Sequence, residues 1–184
     1  LSREFEEDGI YTTWTMVETD TYADGVVSSI QALKDSFFSP NIVFLRLPED
    51  PRWEGDLRSI IGKAGENLMG VLLYAPHPAA GLGRRRRINL WIAGQCLERP
   101  EGLNLPNCDL AILTAYKLAI NWEAAIRILA PVADPGRAAE VRENLAELVE
   151  QTRIPVREIV VEERLFSDAL SAAPAADLEI FSLP

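Results

Sequence analysis

Four consecutive arginines, Arg84, Arg85, Arg86 and Arg87, are the most unusual charge cluster in a 184-residue chain whose net charge is −10. Such a run could meet phosphate, anionic lipid or an acidic partner surface. The interpretation that we favour is a flexible, solvated loop beside a strand edge, where positive charge discourages pairing with another strand. Binding of anionic lipid at these arginines is the second hypothesis.

The residue types that most often carry catalysis form no recognisable constellation in this sequence. The single histidine, His77, lies between two prolines, and the sequence offers it neither a nucleophile nor an orienting partner. We interpret it as a surface-loop residue. The acidic pairs Glu6-Glu7 and Glu162-Glu163 are typical of solvated faces. We therefore predict no catalytic residue and a protein that is not an enzyme.

The sequence also lacks the patterns that hold metals and nucleotides. Cys96 and Cys108 have no further thiol or nearby histidine to complete a zinc shell, so we interpret both as buried or incidental thiols. A phosphate cradle needs glycines in a loop directly before a helix. Gly62 and Gly65 lie inside a predicted helix instead, and Gly94 is followed by a long loop. We predict no metal and no cofactor.

Strand-like and helix-like segments alternate along the chain. Strands are predicted over residues 11–18, 42–47, 70–74, 88–92, 126–130, 156–161 and 178–181. Helices are predicted from an N-cap within 20–24 to about residue 38, and over 56–68, 107–121, 134–154 and 165–171. Open parallel sheets bind ligands beyond the carboxyl ends of their strands. The positions to inspect in this chain are therefore Asp20 and residues 48–50, 93–95 and 133–134.

The two halves of the chain align without a gap at a shift of 84 residues. Similarity at a fixed period is the signature of repeated units, and the shared Asp-Pro pair is its most specific element here. The matched positions are Phe38 and Trp122, Ile42 and Ile126, Leu45 and Leu129, Asp50-Pro51 and Asp134-Pro135, Leu57 and Val141, and Leu72 and Val156.

This order of elements predicts an α/β fold with two βαβαβ lobes, related by an internal pseudo-repeat, in which helices flank mostly parallel sheet. We place the lobes at residues 1–80 and 81–184, the second including a C-terminal tail. The acidic net charge disfavours nucleic acid as a partner. No apolar run reaches the roughly 18 residues that a membrane-spanning helix needs.

The segment 110–120 predicts a helix that is apolar on more than one side. A helix of this kind is usually buried on both flanks. Because one flank must face the lobe's own sheet, we expect the other to contact the second lobe or a partner subunit.

Several segments together resemble a known family. They are Ile88-Asn-Leu-Trp-Ile92, the helical segment Leu110-Ala-Ile-Leu-Thr-Ala-Tyr-Lys-Leu118, and Trp122-x-x-x-Ile126-Arg-Ile128. Their order is similar to that in the cytosolic C-terminal domain of cation-chloride cotransporters, where a hydrophobic strand, a Leu-rich helix ending in a Trp-containing turn and an x-Ile-Arg-x strand follow one another. Residues 38–45, Phe-Ser-Pro-Asn-Ile-Val-Phe-Leu, resemble the family's Lys-Pro-Asn strand entry, and Trp53 shortly after a proline is also similar.

The resemblance covers residues 30–164 and implies a prokaryotic member, because Ile92-Ala-Gly-Gln stands where animal members carry an acidic, Gly-rich stretch. It implies a regulatory and dimerisation domain with a fold similar to universal stress proteins. The implied partners are a second copy of the chain and the transporter's membrane domain, which would carry Na⁺ or K⁺ with Cl⁻. The implied location is the cytoplasmic face of the membrane.

Two further functions stay open at this point. A free-standing nucleotide binder similar to universal stress proteins would need the glycine-rich phosphate loop that we do not find. A small α/β hydrolase or transferase would need a nucleophile that the sequence does not identify.

Overall fold

The computed structural model describes residues 2–34, 39–92 and 108–182. The chain forms two compact units, Leu1–Pro76 and His77–Pro184, which are described separately below.

The first unit contains a two-stranded parallel sheet whose core face is covered by two helices. Its elements are α1 (Ser2–Glu7), α2 (Tyr22–Lys34), β1 (Ile42–Arg46), a 3-10 turn (Pro51–Trp53), α3 (Glu54–Glu66) and β2 (Gly70–Tyr74). β1 and β2 pair with Ile42 opposite Gly70. The core is small and centres on Ala23 of α2, Leu45 of β1 and Ile60 of α3.

Local side-chain chemistry sets where the helices of the first unit begin and end. The Thr21 hydroxyl accepts a hydrogen bond from the amide of Asp24 at 3.1 Å, and the Asp24 carboxylate accepts one from that hydroxyl at 2.7 Å. Together they cap the start of α2. After α3 the chain turns at Leu68, whose φ of 57° lies in the left-handed region. The sequence placed the end of this helix two residues too late, at Leu68.

The strand predicted over residues 11–18 is not formed, and this prediction is wrong. Tyr11, Trp14 and Met16 are 75%, 77% and 79% exposed, respectively. High β-propensity measures how well side chains pack on a pleated surface, so it does not hold a strand together where no neighbouring surface is offered. Within its described residues, the first lobe therefore has two sheet strands instead of the three predicted.

The second unit is built on a four-stranded, fully parallel sheet in the order β5-β4-β3-β6. Its elements are β3 (Arg87–Trp91), α4 (Asp109–Trp122), β4 (Ala125–Pro131), a 3-10 turn (Pro135–Arg137), α5 (Ala138–Thr152), β5 (Val156–Glu162), α6 (Phe166–Ala172) and β6 (Leu178–Phe181).

The two faces of this sheet differ in chemistry because side chains alternate along each strand. Leu90 and Ile128 point into the main core, which also holds Leu145 of α5. On the other face, Trp91 and Leu129 pack with Ala169 of α6. α4 and α5 therefore cover one face, and α6 covers one end of the other.

The predicted α/β architecture of parallel sheets flanked by helices is confirmed, and the matched segments have matched structures. In each unit an aspartate opens a 3-10 turn that leads into a helix. The Asp50 carboxylate accepts the amide of Arg52 at 3.0 Å, and the Asp134 carboxylate accepts the amide of Gly136 at 2.9 Å. β1, α3 and β2 of the first unit thus correspond to β4, α5 and β5 of the second.

Candidate functional site

The four arginines lie on a turn that is organised around one carboxylate. Asp177, just before β6, accepts hydrogen bonds from the backbone amides of Arg84 at 2.8 Å, Arg86 at 2.9 Å and Arg87 at 3.0 Å. These amides, led by that of Arg84, hold the pKa of Asp177 below its usual value. The turn is therefore held in place by a residue about 90 positions away, and the prediction of a flexible loop does not describe it.

Backbone conformation fits this turn to the carboxylate. Gly83 has a φ of +55°, and a Cβ at this position would lie 2.5 Å from the Asp177 Oδ1 atom. Arg85 also has a positive φ, and its guanidinium carbon lies 5.9 Å from the centre of the Trp122 ring. β3 begins at Arg87 and is an inner strand, so the predicted role of these arginines in protecting a strand edge is wrong.

A row of polar side chains crosses all four strands on the sheet face opposite α4 and α5. Asn89 of β3 is fully buried, and Arg127, Glu158 and Glu179 stand beside it in register on β4, β5 and β6. Asn89 donates to Glu179 at 2.9 Å and to the Pro174 carbonyl at 2.8 Å. Arg127 donates to Asn89 at 3.3 Å and to Glu158 at 2.7 Å. The side chain of Asn89 is therefore fully hydrogen-bonded.

Glu179 is the carboxylate of this row that burial affects most. Desolvation raises its pKa, while hydrogen bonds from Trp91 and Asn89 and the charge of Arg127 oppose the rise. The Trp91 indole N–H donates to its Oε2 atom at 2.6 Å. The predicted site positions do not include this row, although an asparagine inside a hydrophobic strand is a visible signal of a buried polar contact.

The outward face of α4 carries the apolar side chains that the sequence predicted for an interface. Leu113 and Ile120 are 50% and 53% exposed and lie seven residues apart, hence on one side of the helix. Ala111, Ala115 and Ala119 occupy the buried side. α4 buries Ile112 together with these alanines, and its outward Leu113 and Ile120 form an apolar surface without a partner among the described residues.

The structure does not gather the other candidate positions into one site. The exposed His77 accepts the amides of Ala79 and Ala80 on its Nδ1 atom at 3.2 and 3.0 Å, so this nitrogen organises its own turn. Asp50 and Asp134 cap turns as described above, and Asp20 is exposed. Residues 93–95 lie outside the described part of the chain.

Glu162 and Cys108 differ in the structure from what the sequence predicted for them. Glu162 is half-buried, and its Oε2 atom lies 3.3 Å from Nε of Arg164 without a hydrogen bond, so a fully solvated face was a wrong prediction for this residue. Cys108 is fully buried and disulfide-bonded, whereas we had predicted a thiol; Cys96 lies outside the described residues. Within 2–34, 39–92 and 108–182, no three acidic, His or Cys side chains are grouped to hold a metal.

Among the described residues, no helix is both long enough and apolar enough to cross a membrane.

Comparison with known proteins identifies the family. Residues 1–82 match the family described as the first C-terminal domain of prokaryotic cation-chloride cotransporters, and residues 83–184 match the second. The curated proteins gave no match. One solved structure, the crystal structure of the cytoplasmic domain of a prokaryotic cation chloride cotransporter, is 39% identical, with a TM-score of 0.88 over all of this chain and 67% of that one. The chain belongs to the prokaryotic cation-chloride cotransporter family and carries its two C-terminal domains.

Proposed function

We propose that this chain is the cytosolic regulatory and dimerisation domain of a cation-chloride cotransporter and that it acts without catalysis. The membrane domain of the same transporter would carry Na⁺ or K⁺ with Cl⁻, and this domain would lie at the cytoplasmic face. The family and the similar cytoplasmic domain support the assignment. The observation that carries dimerisation is the exposed apolar row on α4, with Leu113 and Ile120 half in solvent.

When a second copy of the chain covers this exposed apolar row, apolar surface is removed from water, and this favours association of the two copies. A twofold pair of α4 helices would bring each row against its equivalent in the partner, which is the commonest symmetry of soluble homodimers. Lys117, exposed between Leu113 and Ile120, can keep its charged end in water while its stem covers apolar surface.

The test is sedimentation of the double variant Leu113→Glu/Ile120→Glu. We expect a shift from dimer to monomer, because two carboxylates per copy would be buried without partners. The matched control is Leu165→Glu, which places a carboxylate at a residue that is 61% exposed beside α6, on the other side of the sheet. A folded double variant that sediments like the unmodified chain would contradict dimerisation through α4.

A second surface of the same domain is proposed to meet anionic lipid at Arg84, Arg85, Arg86 and Arg87. Because Asp177 binds backbone amides, the exposed side chains of Arg84, Arg86 and Arg87 stay available to phosphate headgroups, while that of Arg85 lies over the Trp122 ring. Charge reversal at all four should abolish co-sedimentation with phosphatidylserine vesicles. If the charge-reversed variant and the unmodified chain bind the vesicles equally, the lipid hypothesis is wrong.

Nucleotide binding, the alternative function, is not favoured by the two candidate glycines of α3. Gly62 and Gly65 lie within α3 rather than ahead of a helix, so their amides are not arranged as a phosphate cradle. Millimolar ATP should leave the melting temperature unchanged, whereas a rise of several degrees would support the alternative.

A further inference from the structure

The first unit contains a cavity of about 220 Å³ at the carboxyl end of β1. Its apolar floor is formed by Leu45, Leu57 and Ile60. The aromatic rings of Tyr22 and Trp53 stand at its mouth, 5.9 Å apart and nearly perpendicular. Both rings are about half exposed, so aromatic surface remains open to a ligand.

Among the described residues that line this cavity, the one charge without a partner is negative. Arg46 also lines it, but its guanidinium donates to Glu49 at 3.0 Å, which leaves that pair neutral. Of the neighbouring acids, Asp50 pairs with Arg52 and Glu54 pairs with Arg58. Asp56 alone among these lining and neighbouring acids has no hydrogen bond or ion pair within the described residues.

The first unit as a whole is also negatively charged. Residues 1–76 carry six Lys and Arg against thirteen Asp and Glu, so the first unit is the more acidic of the two. A negative field raises the local concentration of cations and lowers that of anions such as phosphates.

We propose that this cavity binds a small organic cation of the quaternary or alkylated ammonium class. Aromatic faces attract such cations, with tryptophan the most effective ring, and an unpaired carboxylate at the rim adds charge complementarity. The apolar floor suits the methyl groups of the ligand. This proposal does not depend on dimerisation, since every lining residue belongs to the first unit of one chain.

The test titrates choline into the ¹⁵N-labelled chain and follows the indole N–H signal of Trp53 by NMR. We expect saturable binding with a Kd on the order of 1 mM. The uncharged isostere 3,3-dimethylbutanol has nearly the same shape and should bind at least about tenfold more weakly, because it lacks the charge that the rings and Asp56 attract.

Two variants with matched controls locate the site. Asp56→Asn should weaken choline binding about fivefold or more, whereas Asp20→Asn, which removes the same charge from an exposed residue of the same unit, should not. Trp53→Leu should weaken choline binding about tenfold, as measured through the Tyr22 ring signals. Trp14→Leu, which changes a tryptophan that is 77% exposed, should leave choline binding unchanged. No saturable shift up to about 0.1 M choline, equal affinity for the isostere, or unchanged affinity of a folded Asp56→Asn variant would overturn the proposal.

Discussion

At the scale of single residues, Asp177 shows how a carboxylate can fix a turn that is distant in sequence. Its carboxylate accepts hydrogen bonds from three backbone amides of the arginine turn. Gly83, which has a positive φ and no Cβ, allows the carboxylate to approach the turn closely. Anionic acceptors bind successive amides more strongly than neutral ones. The arginine side chains are consequently not needed to hold the turn and can face outward.

We expect Asp177→Ala to lower the free energy of unfolding of the second unit by about 1–2 kcal/mol, as loss of a side-chain cap does elsewhere. Because amide hydrogen bonds lower the pKa of Asp177, its contribution is fully present above the unfolded-state value of about 4 and is lost as pH falls through the folded-state value. Urea unfolding at pH 7 and at successively lower pH measures both effects. The exposed Asp20→Ala is the control, and a loss of stability for Asp177→Ala that does not shrink in acid would contradict this account.

The second residue-scale prediction concerns Glu179 in the polar row. Trp91→Phe removes an indole hydrogen bond that stabilises the ionised carboxylate, so the pKa of Glu179 should rise further above its ordinary value. A raised pKa means that ionisation opposes folding, so stability should fall as pH rises through the folded-state pKa. Carboxyl ¹³C NMR of Glu179 reports the titration directly. Trp122→Phe is the control, and an unchanged or lowered pKa in Trp91→Phe would refute the role given to the indole.

These residue-scale contacts are the part of the site that the sequence could not provide. Asp177 and Glu179 stand near the end of the chain, about 90 residues from the groups that they bind. Only the placement of β6 beside β3 brings them together, and no local pattern encodes that pairing. The arginine run itself was visible, but its carboxylate partner was not.

At the scale of elements, periodic apolar segments were predicted well and the N-terminal segment was not. β2 and β6 occur at the predicted residues, and α4 and β4 differ from the prediction by one or two residues at their ends. α4 and β4 each have a buried face that the sequence displays, and β2 and β6 are mostly half-buried. Residues 11–18 carry exposed aromatic and β-branched side chains with no sheet beside them, so propensity alone gave the wrong prediction.

Two glycines in different backbone conformations give a prediction at this scale. A Cβ on Gly62 would meet no described atom within 4 Å, so Gly62→Ala should stabilise the first unit by about 0.5–1 kcal/mol through helix propensity. Gly83→Ala should instead destabilise the second unit by at least about 1 kcal/mol, since its φ is positive and Asp177 occupies the space. Thermal unfolding of both variants measures the contrast. If both variants were more stable than the unmodified chain, or both less stable, the backbone conformations given for Gly62 and Gly83 would be wrong.

At the scale of the whole molecule, the two units have matched segments and unequal cores. Both contain the strand, Asp-capped turn, helix and strand that the shift of 84 residues predicted. The second unit also contains β3 and β6, which have no counterpart among the described strands of the first unit. Ile88 and Leu90 of β3 lie in the main core of the second unit. The sequence predicted three strands in the first lobe because it could not show that residues 11–18 do not pair with its sheet.

This inequality predicts unequal local stability. A two-stranded sheet is marginal without support, and each fully buried Leu or Ile side chain contributes about 1.5–3 kcal/mol, so the unit with fewer of them opens more easily. After correction for intrinsic rates, we expect the amides of β1 and β2 to exchange with deuterium at least about tenfold faster than those of β3 and β4. Exchange measured by NMR at several pH values separates opening equilibria from opening rates. Equal protection of the two sheets would show that the units open together and that the smaller core is not the weaker part of this domain.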